Sequence, residues 1–454
     1  MQLTLFENNT VKISSSSVGE RTITDEQAEE LEQMNFKLKA NKQINEDFFQ
    51  FGPKHSARFI NFVGAISLGD FQVNILPKIF ELKEGNSTEN TQDAFFSFAR
   101  MISYTLGIKD IEHELLQFEK LDKAGILELL VFFFATSLKN ALFEGIHCQY
   151  EQIILKSSYL TGKPPIERQM YEPDSSQIVQ ESYIYTENTE LMQYFKGACS
   201  YFARIVRSDN LSWELRELSG FLVDIDTMPL RQIYLKKINL NRLNQHYKNP
   251  YDQSKLILEG LSINPDSSKY SQGPALLLDM SKIFETFFAN FIRNNESIIL
   301  PSTHNSIRSQ DSRHSLFIDY KSSTLKPDIC IESENKNETQ TIILDTKYKK
   351  EDSGDHNILN GVSTSDLYQM YAYSVKYNAS DCILVYPSGY RTIDNGPLHF
   401  EDKNRLRIWK LKMNLKDGNW ESKLANEIKP LMAKLFPNND TTMHVGKEMD
   451  LDAL

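Results

Sequence analysis

Alternation of apolar and polar residues predicts a pair of strands early in the chain. Residues 59–80, FINFVGAISLGDFQVNILPKIF, contain two apolar runs separated by Gly69-Asp70, and the apolar positions of the second run alternate with polar neighbours. A period of two is typical of strands, and Gly-Asp is a common turn sequence. Pro77 cannot donate a ladder hydrogen bond, so the second strand is expected either to end there or to lie at a sheet edge there. Before this pair, DEQAEELEQMNFKLKA (residues 25–40) predicts a helix.

A long apolar stretch in the middle of the chain predicts a buried helix rather than a membrane span. Residues 92–145 and patches up to about residue 255 have helical spacing, and GILELLVFFFATSLKNALFEG (residues 125–145) is the most apolar part. Its uninterrupted apolar core extends only from Leu129 to Ala135. Crossing a bilayer takes about 20 apolar residues. We therefore interpret this segment as a core helix and expect no membrane contact.

The C-terminal part predicts an α/β arrangement. One helix is indicated by apolar residues that repeat at helical spacing: Met280, Ile283, Phe284, Phe287, Phe288 and Phe291. Strands are predicted at 325–333 and 340–348, then a helix at 364–377 and two strands in CILVYPSG and RLRIWKLKM. This order of helices and strands favours a mixed sheet flanked by helices.

The length of 454 residues favours more than one domain. We predict an N-terminal region of strands and helices over residues 1–255, an α/β domain over 256–436 and an acidic tail over 437–454. The four cysteines form no Cys-x-x-Cys pair, and the first residues lack the basic and apolar segments of a signal peptide. A reducing, cytoplasmic location is therefore expected, without a zinc site or disulfide framework.

Two acidic residues and a lysine lie where predicted strands begin or end. Asp328 follows Pro327 at the start of PDICIE, and Asp345 and Lys347 end the strand TIILDTK. Because side chains alternate between the faces of a strand, Ile343, Asp345 and Lys347 are expected to share one face. A hairpin over the polar loop SENKNET would bring Asp328 alongside. The pattern is typical of metal-dependent nucleases of the PD-(D/E)xK type.

These three residues suit phosphodiester hydrolysis. The carboxylates of Asp328 and Asp345 are ligands that Mg²⁺ prefers, with Mn²⁺ as a substitute, and such an ion activates water and neutralises charge on the phosphate. Lys347 could polarise the attacking water or stabilise the transition state. The motif is short enough to occur by chance, and the alternative is an exposed strand end with solvated charges.

Two further features favour the nuclease interpretation. Gln369 and Tyr373 lie four residues apart on one face of the helix predicted at 364–377, as beside many such sites, although this pair alone is more often ordinary amphipathic packing. Glu285 lies off the apolar stripe of the preceding helix and is either a solvated glutamate or a third metal-facing acid. The candidate catalytic residues are Asp328, Asp345, Lys347, Glu285 and Gln369, and the candidate metal ligands are Asp328, Asp345 and Glu285.

The charge of the chain opposes a broad DNA-binding surface. The formal net charge is -11, whereas a duplex-binding protein usually presents a basic face. Basic residues occur only in local clusters such as Lys347, Lys349 and Lys350. Either the DNA-binding face is small or another subunit supplies most of the DNA contacts, and we favour the second alternative. YLTGKPP around Lys163 lacks the upstream glycine and the following hydroxyl of a P-loop, and the chain has no HxxxH pair or GxSxG elbow. The chain is therefore not predicted to be a P-loop NTPase.

Seven segments in order resemble the McrC family, the nuclease subunit of McrBC-type, 5-methylcytosine-dependent restriction systems. They extend from about residue 59 to 435: FVGAISLGDFQVNILPKI, YLTGKPPIERQ, INLNRLNQHYKNPYDQSKLIL, LLLDMSKIFETFF, LKPDICI, IILDTKYK and DLYQMYAYSVKY. The resemblance implies a C-terminal PD-(D/E)xK endonuclease domain. It also implies an N-terminal region that docks on a hexameric ring of the AAA+ GTPase McrB and stimulates GTP hydrolysis. Recognition of modified double-stranded DNA would then belong to the partner, which agrees with the acidic charge of this chain.

In this resemblance, the catalytic motif positions fall on Asp328, Asp345 and Lys347, with Glu285 and Gln369 in support. One motif departs from the family, because relatives often have Leu-Arg-Gly-Arg where this chain has Leu-Thr-Gly-Lys at residues 160–163. Lysine cannot make the bidentate contacts of arginine, so any contact of this segment with GTPase or DNA is expected to differ. The first fifty residues match nothing in the family.

Two other functions stay open at this stage. A regulatory adaptor of an AAA+ motor could keep a vestigial nuclease fold, although the complete set of two aspartates and a lysine argues against a decayed site. A stand-alone repair exonuclease could use the same fold, although the large non-nuclease part argues against it. The favoured hypothesis is a Mg²⁺-dependent DNA endonuclease subunit of an antiviral restriction complex, active together with its GTPase partner.

Overall fold

The computed structural model describes most of the chain. It covers residues 2–436 except 15–20, 41, 43, 70, 82–86, 109–110, 121–124, 166, 168–175, 262–274, 301–304, 318–322, 336–337, 349–361, 389–397, 400–404, 413 and 417. The predicted acidic tail over 437–454 and the basic residues Lys349 and Lys350 lie outside the described residues.

The chain forms two compact units, each assembled from separate segments. Unit 1 contains Met1–Leu3, Gly64–Asn74 and Leu106–Leu277, and unit 2 contains Thr4–Val63, Ile75–Thr105 and Leu278–Leu454. These units do not follow the single boundary after residue 255 that the sequence predicts. The reason is that two early segments cluster with the C-terminal part of the chain.

The N-terminal part of unit 2 contains short strands and one helix. The elements are β1 (Gln2–Phe6), β2 (Thr10–Ile13), β3 (Thr22–Ile23), α1 (Asp25–Ala40), β4 (Phe49–Gly52) and β5 (Ser56–Phe59). Strands β2 to β5 form a sheet in the order β3-β2-β5-β4. Helix α1 confirms the predicted helix and buries Ala28, Leu31, Met34 and Leu38. The sheet was not predicted, because strands of two to four residues are too short to show alternation.

The strand pair predicted over residues 59–80 is present. It consists of β6 (Phe62–Leu68) and β7 (Phe71–Leu76), which are neighbours in a sheet, and β7 ends before Pro77 as expected. Gln72 and Asn74 of β7 are buried like the apolar residues between them. The polar positions of the alternating pattern therefore do not face solvent.

Helices form most of the middle of the chain. They are α2 (Ser87–Thr105) in unit 2 and, in unit 1, α3 (Ile111–Phe118), α4 (Ile126–Glu144), α5 (Glu190–Ile205), α6 (Asp209–Phe221), α7 (Leu230–Leu235) and α8 (Lys248–Gly260). Two strands of unit 1, β8 (Gln149–Ser157) and β9 (Ile178–Thr186), form a separate antiparallel sheet. Side chains at the N-caps start two of the helices, since Thr189 accepts from Met192 N and Ser208 accepts from Leu211 N.

Helix α4 agrees with the predicted core helix. By length and composition alone it could cross a membrane, but most of it is buried inside the protein. Leu129 to Ala135, the apolar core of the segment, is buried throughout. The apolar character of this helix is therefore explained by packing.

The C-terminal part of unit 2 is built on a six-stranded mixed sheet. Strand β10 (Ala275–Asp279) begins in unit 1 and ends in unit 2. The helices and strands that follow it are α9 (Met280–Asn294), α10 (Glu296–Ile299), β11 (Asn305–Ser309), β12 (Ile329–Asn335), β13 (Glu338–Thr346), α11 (Thr364–Lys376), β14 (Asp381–Ser388), β15 (Leu398–His399), β16 (Arg405–Lys412) and α12 (Trp420–Leu435). The strand order is β11-β12-β13-β14-β16-β15. Pairs β13–β14 and β14–β16 are parallel, and the other pairs are antiparallel.

Strand β13 lies in the middle of this sheet and is covered on both faces. Ile343 packs with Met370 and Tyr373 of α11 in one buried cluster. Ile342 and Leu344, whose side chains alternate with that of Ile343, are also fully buried. Burial on both faces explains why the sequence of this strand contains a continuous apolar run. The predicted mixed sheet flanked by helices is confirmed, as is the apolar stripe of α9, which is buried along its length.

Candidate active site

The β12–β13 hairpin places the two aspartates of the motif side by side. The strands are antiparallel, with Ile329 opposite Leu344, so the register continued by one residue sets Asp328 opposite Asp345. This is the pairing expected for a hairpin between the two motif strands. The Asp345 side chain is only 2% exposed, and Asp328 is half-buried.

Lys347 follows the last residue of β13, and its ammonium group contacts Asp345. The distance from Lys347 Nζ to Asp345 Oδ2 is 2.6 Å. The backbone N–H of Lys347 donates to Val385 O at 2.9 Å, which extends the ladder to β14 by one step. Asp345 and Lys347 therefore lie on one face at the end of the strand, as the alternation predicted.

A chain of hydrogen bonds from helix α11 holds the lysine in place. Tyr373 donates its hydroxyl hydrogen to Lys326 O at 3.1 Å, and Gln369 Nε2 donates to the Tyr373 hydroxyl oxygen at 2.8 Å. The amide oxygen of Gln369 then accepts from Lys347 Nζ at 2.9 Å. The Gln-x3-Tyr pair is thus in contact with the site. Tyr373 orients the side-chain amide of Gln369, and the oxygen of that amide holds the ammonium group of Lys347.

Asp328 is oriented by groups from its own strand pair and from β11. Its Oδ2 accepts from both the backbone N–H and the hydroxyl of Thr346, each at 2.7 Å. Gln310 Nε2 lies 3.3 Å from Asp328 Oδ1 and also donates to Glu285 Oε1. Glu285 is therefore one side-chain amide away from Asp328. Its role as a third metal ligand stays a prediction.

Burial and mutual repulsion change the acidity of the site. Burial raises the pKa of Asp345 to about 6, and the charge of Asp328 adds to this effect against the opposing influence of Lys347. Burial also raises the pKa of Asp328 and of Glu285. For Lys347, burial lowers the pKa, but the neighbouring carboxylates, Asp345 foremost, raise it more. The lysine is therefore charged at neutral pH.

The aspartate pair offers two ligands for a hard cation. Within the described parts of the chain, no three histidine, cysteine, aspartate or glutamate side chains are close enough to hold a metal ion. Mg²⁺, however, is commonly bound through one or two carboxylates and keeps several waters. A divalent ion between Asp328 and Asp345 would relieve the repulsion that raises the pKa of Asp345. The residues present therefore fit a hydrated divalent cation.

Three residues at the site were not identified from the sequence. Thr346 is the variable position of the Asp-x-Lys motif, and Asp366 lies 3.8 Å from Lys347 Nζ. Gln310 follows β11, has a left-handed backbone (φ 50°) and reaches Asp328 from a distant part of the sequence. Thr346 and Asp366 could have been suggested by their closeness to motif residues. Gln310 has no local sequence feature that marks it.

A second surface of interest is the β8–β9 sheet of unit 1. The strands pair along their whole length, with Tyr150 opposite Tyr185 and Gln152 opposite Tyr183. One face therefore carries four exposed apolar side chains: Tyr150, Ile154, Tyr183 and Tyr185. A group of neighbouring exposed apolar side chains is typical of a surface that binds another molecule.

The segment Leu-Thr-Gly-Lys lies against β9 and is held by a buried amide. Gln180 is fully buried, and its Oε1 accepts from the N–H groups of Thr161 and Gly162 at 2.6 and 2.7 Å. Its Nε2 donates to Tyr159 O at 2.9 Å. A Cβ at Gly162 would lie 2.1 Å from Glu181 O, so only glycine fits there. Contacts between Gln180 and backbone groups thus hold the loop in shape. The two arginines that relatives often have in this segment are not needed to form it.

Comparison with known proteins identifies a family and a fold. The family model for McrBC 5-methylcytosine restriction system components matches residues 57–387. A chain in the refined half-complex from a tetradecameric assembly of Thermococcus gammatolerans McrB AAA+ hexamers with bound McrC is 19% identical, with a TM-score of 0.63, covering 95% of this chain and 100% of that chain. A chain in the cryo-EM structure of the Thermococcus gammatolerans McrBC complex is 20% identical, with a TM-score of 0.49, covering 65% of this chain and 88% of that chain. No curated protein sequence matches the chain. The first of these structures shares its fold with this chain over nearly the whole length of both chains.

Proposed function

Because the chain belongs to the McrBC family of 5-methylcytosine restriction system components, we propose that it is the DNA endonuclease subunit of such a system, acting in the cytoplasm. One observation carries the proposal. Asp345 is buried opposite Asp328 and its carboxylate is 2.6 Å from the ammonium group of Lys347. In this proposal the C-terminal part of the chain is a PD-(D/E)xK nuclease domain, and the motif strands lie at the centre of its mixed sheet.

The residues of the site have complementary roles in phosphodiester hydrolysis. Asp328 and Asp345 would hold Mg²⁺ or Mn²⁺, an ion that supplies a Lewis acid and an activated water when bound. Lys347 donates hydrogen bonds to oxygens on which negative charge develops, as a preorganised cation in a partly buried site. Gln369 keeps Lys347 Nζ in place, 2.9 Å from its amide oxygen. Thr346 holds Asp328 Oδ2 by two hydrogen bonds, and Gln310 Nε2 lies 3.3 Å from Asp328 Oδ1.

The N-terminal region over residues 1–255 is proposed to dock on a hexameric AAA+ GTPase of the McrB type. The exposed apolar face of β8–β9 supports this, because it offers a contact surface on unit 1. In the Thermococcus gammatolerans structure, McrC is bound to McrB AAA+ hexamers. The net charge of this chain is -11. A partner that binds modified duplex DNA would supply the basic surface that contacts the phosphates, so this chain would not need one.

Cleavage by a reconstituted complex tests the proposal. Wild-type chain, its GTPase partner, GTP and Mg²⁺ are expected to cut a duplex that contains 5-methylcytosine. Asp345→Asn is expected to slow cleavage roughly a hundredfold or more, because it removes the charge that holds the metal, while stimulation of GTP hydrolysis stays at the wild-type level. Asp224→Asn, which changes an exposed aspartate of unit 1, is the matched control and should cut normally. Cleavage by Asp345→Asn at the wild-type rate would refute the assignment.

A further inference from the structure

Tyr348, the residue directly after Lys347, is held by a segment from the start of the chain. Its hydroxyl donates to Glu7 Oε2 at 3.0 Å. Burial and the charge of Glu7 raise the pKa of this hydroxyl far above its usual range, so it stays protonated as a donor. The contact joins residues 341 positions apart within unit 2.

Glu7 is itself fixed by a buried ion pair. Lys78 Nζ lies 3.1 Å from Glu7 Oε1, and the two side chains are only 11% and 2% exposed. The backbone N–H of Glu7 donates to Leu76 O at 2.8 Å. A buried carboxylate with both oxygens and its backbone engaged cannot move without breaking costly contacts. The Glu7 oxygen that receives Tyr348 is therefore a rigid anchor.

The ring of Tyr348 is also enclosed. Lys78 Nζ lies 4.9 Å from its centroid, within the range of a cation–π contact. Phe284 of α9 lies on another side, with 6.4 Å between ring centroids. Phe284 precedes Glu285, so the same ring also contacts the helix that carries the third acidic residue of the site.

We propose that Tyr348 is a positioning residue through which the N-terminal segment around Glu7 and Lys78 controls the placement of Lys347. Successive side chains of an extended chain point to opposite sides, so Lys347 reaches Asp345 and Gln369 while Tyr348 reaches Glu7. The backbone between them is shared, and a shift of the anchor moves the ammonium group. This inference rests on the nuclease function proposed above and adds a means of regulating it, because a partner that displaces the N-terminal segment would alter the site.

Hydrogen exchange followed by mass spectrometry tests the anchor without relying on activity. Tyr348→Phe removes only the hydroxyl and keeps the ring. Amides of the peptide over residues 342–348 are expected to exchange about tenfold faster in this variant, because loss of the anchor lets the strand end open locally. Tyr368→Phe, which changes an exposed tyrosine on α11, is the control and should leave exchange unchanged. Equal exchange in Tyr348→Phe and wild type would overturn the proposal.

A double-mutant cycle tests the link to the lysine. Single-turnover cleavage by the reconstituted complex is expected to be about tenfold slower for Tyr348→Phe and for Glu7→Ala than for wild type. The double variant is expected to be no slower than Glu7→Ala alone, since both changes remove the hydrogen bond between Tyr348 and Glu7. DNA affinity and GTPase stimulation should not change, whereas a merely structural defect would lower all three. A double variant that cuts about a hundredfold more slowly than wild type, as expected if the two single effects multiply, would overturn the proposal. An equal loss of DNA affinity would also overturn it. A wild-type complex that cuts no DNA would instead defeat the proposed function, and the exchange measurement would still decide the anchor.

Discussion

Asp345 combines two properties that are unfavourable in isolation. It is almost completely buried, and a second carboxylate, Asp328, lies opposite it. The contact with Lys347 at 2.6 Å offsets only part of this cost, and the pKa of Asp345 stays raised to about 6. Such an arrangement stores repulsion that a divalent cation removes. The pKa of Asp345 is therefore expected to fall when the site binds a divalent cation.

We expect the metal-free aspartate pair to titrate with an apparent pKa of about 6 at Asp345. The unfolded value is about 3.9. Because the folded value is the higher one, the contribution of Asp345 to stability is present below about pH 4 and is lost as the pH rises through about 6. Mg²⁺ should move the titration to lower pH and restore stability at neutral pH. Carboxyl-carbon NMR of labelled aspartate, with Asp345→Asn to assign the signal, measures the titration, and thermal unfolding with and without Mg²⁺ measures the stability. A midpoint near 4 without metal, or one that Mg²⁺ leaves unchanged, would contradict this.

At the residue scale, the sequence predicts the site where the chemistry is local. Asp345 and Lys347 share a face because strand geometry requires it, and Gln369 and Tyr373 share a face because of helix geometry. Gln310 was not foreseen, since its amide reaches Asp328 through a left-handed backbone at a turn after β11. Such a contact depends on the path of the chain in three dimensions.

At the scale of single elements, the β8–β9 sheet combines a rigid base with an exposed face. Gln180 holds the loop that follows β8, and the opposite side of the sheet presents tyrosines to solvent. The rings of Tyr150 and Tyr185 pack against each other at 5.1 Å between centroids. Rigid aromatic groups lose little entropy on binding, which favours a docking role for this element.

The double variant Ile154→Ser/Tyr183→Ser is expected to weaken stimulation of the partner's GTPase about tenfold or more, because it removes apolar area from the proposed contact. Both side chains are exposed, so the unfolding temperature should stay close to that of wild type. Phe143→Ser, at an exposed position on α4 of the same unit, is the control. GTP hydrolysis measured against chain concentration gives the result, and wild-type stimulation by the double variant would rule out this face.

Long elements were predicted better than short ones. Helices α1, α9 and α11 and strands β12, β13, β14 and β16 are each seven residues long or longer, and all were predicted. Strand β11, with five half-buried residues, was missed. The long β8 and β9 were also missed, because β8 is exposed along most of its length and only two adjacent residues of β9 are buried, so neither strand shows an alternating pattern of burial.

At the scale of the whole molecule, the division into units could not be predicted. Sequence reasoning assumes that domains are continuous, whereas segments Thr4–Val63 and Ile75–Thr105 cluster with the C-terminal part. The anchor of Tyr348 on Glu7 shows one consequence, because it brings the residue that follows β1 into contact with the end of the proposed nuclease motif. The acidic net charge of -11 fits the proposal that this chain acts on DNA held by a partner.

Anomalous diffraction from crystals soaked in Mn²⁺ is the most direct test of the central claim, that two carboxylates and an amine form a metal-dependent cutting site. We predict one peak within about 2.5 Å of carboxylate oxygens of both Asp328 and Asp345, with Lys347 Nζ beside it, and loss of the peak in Asp345→Asn. A map without a peak between the two aspartates, or with Lys347 directed elsewhere, would contradict the account.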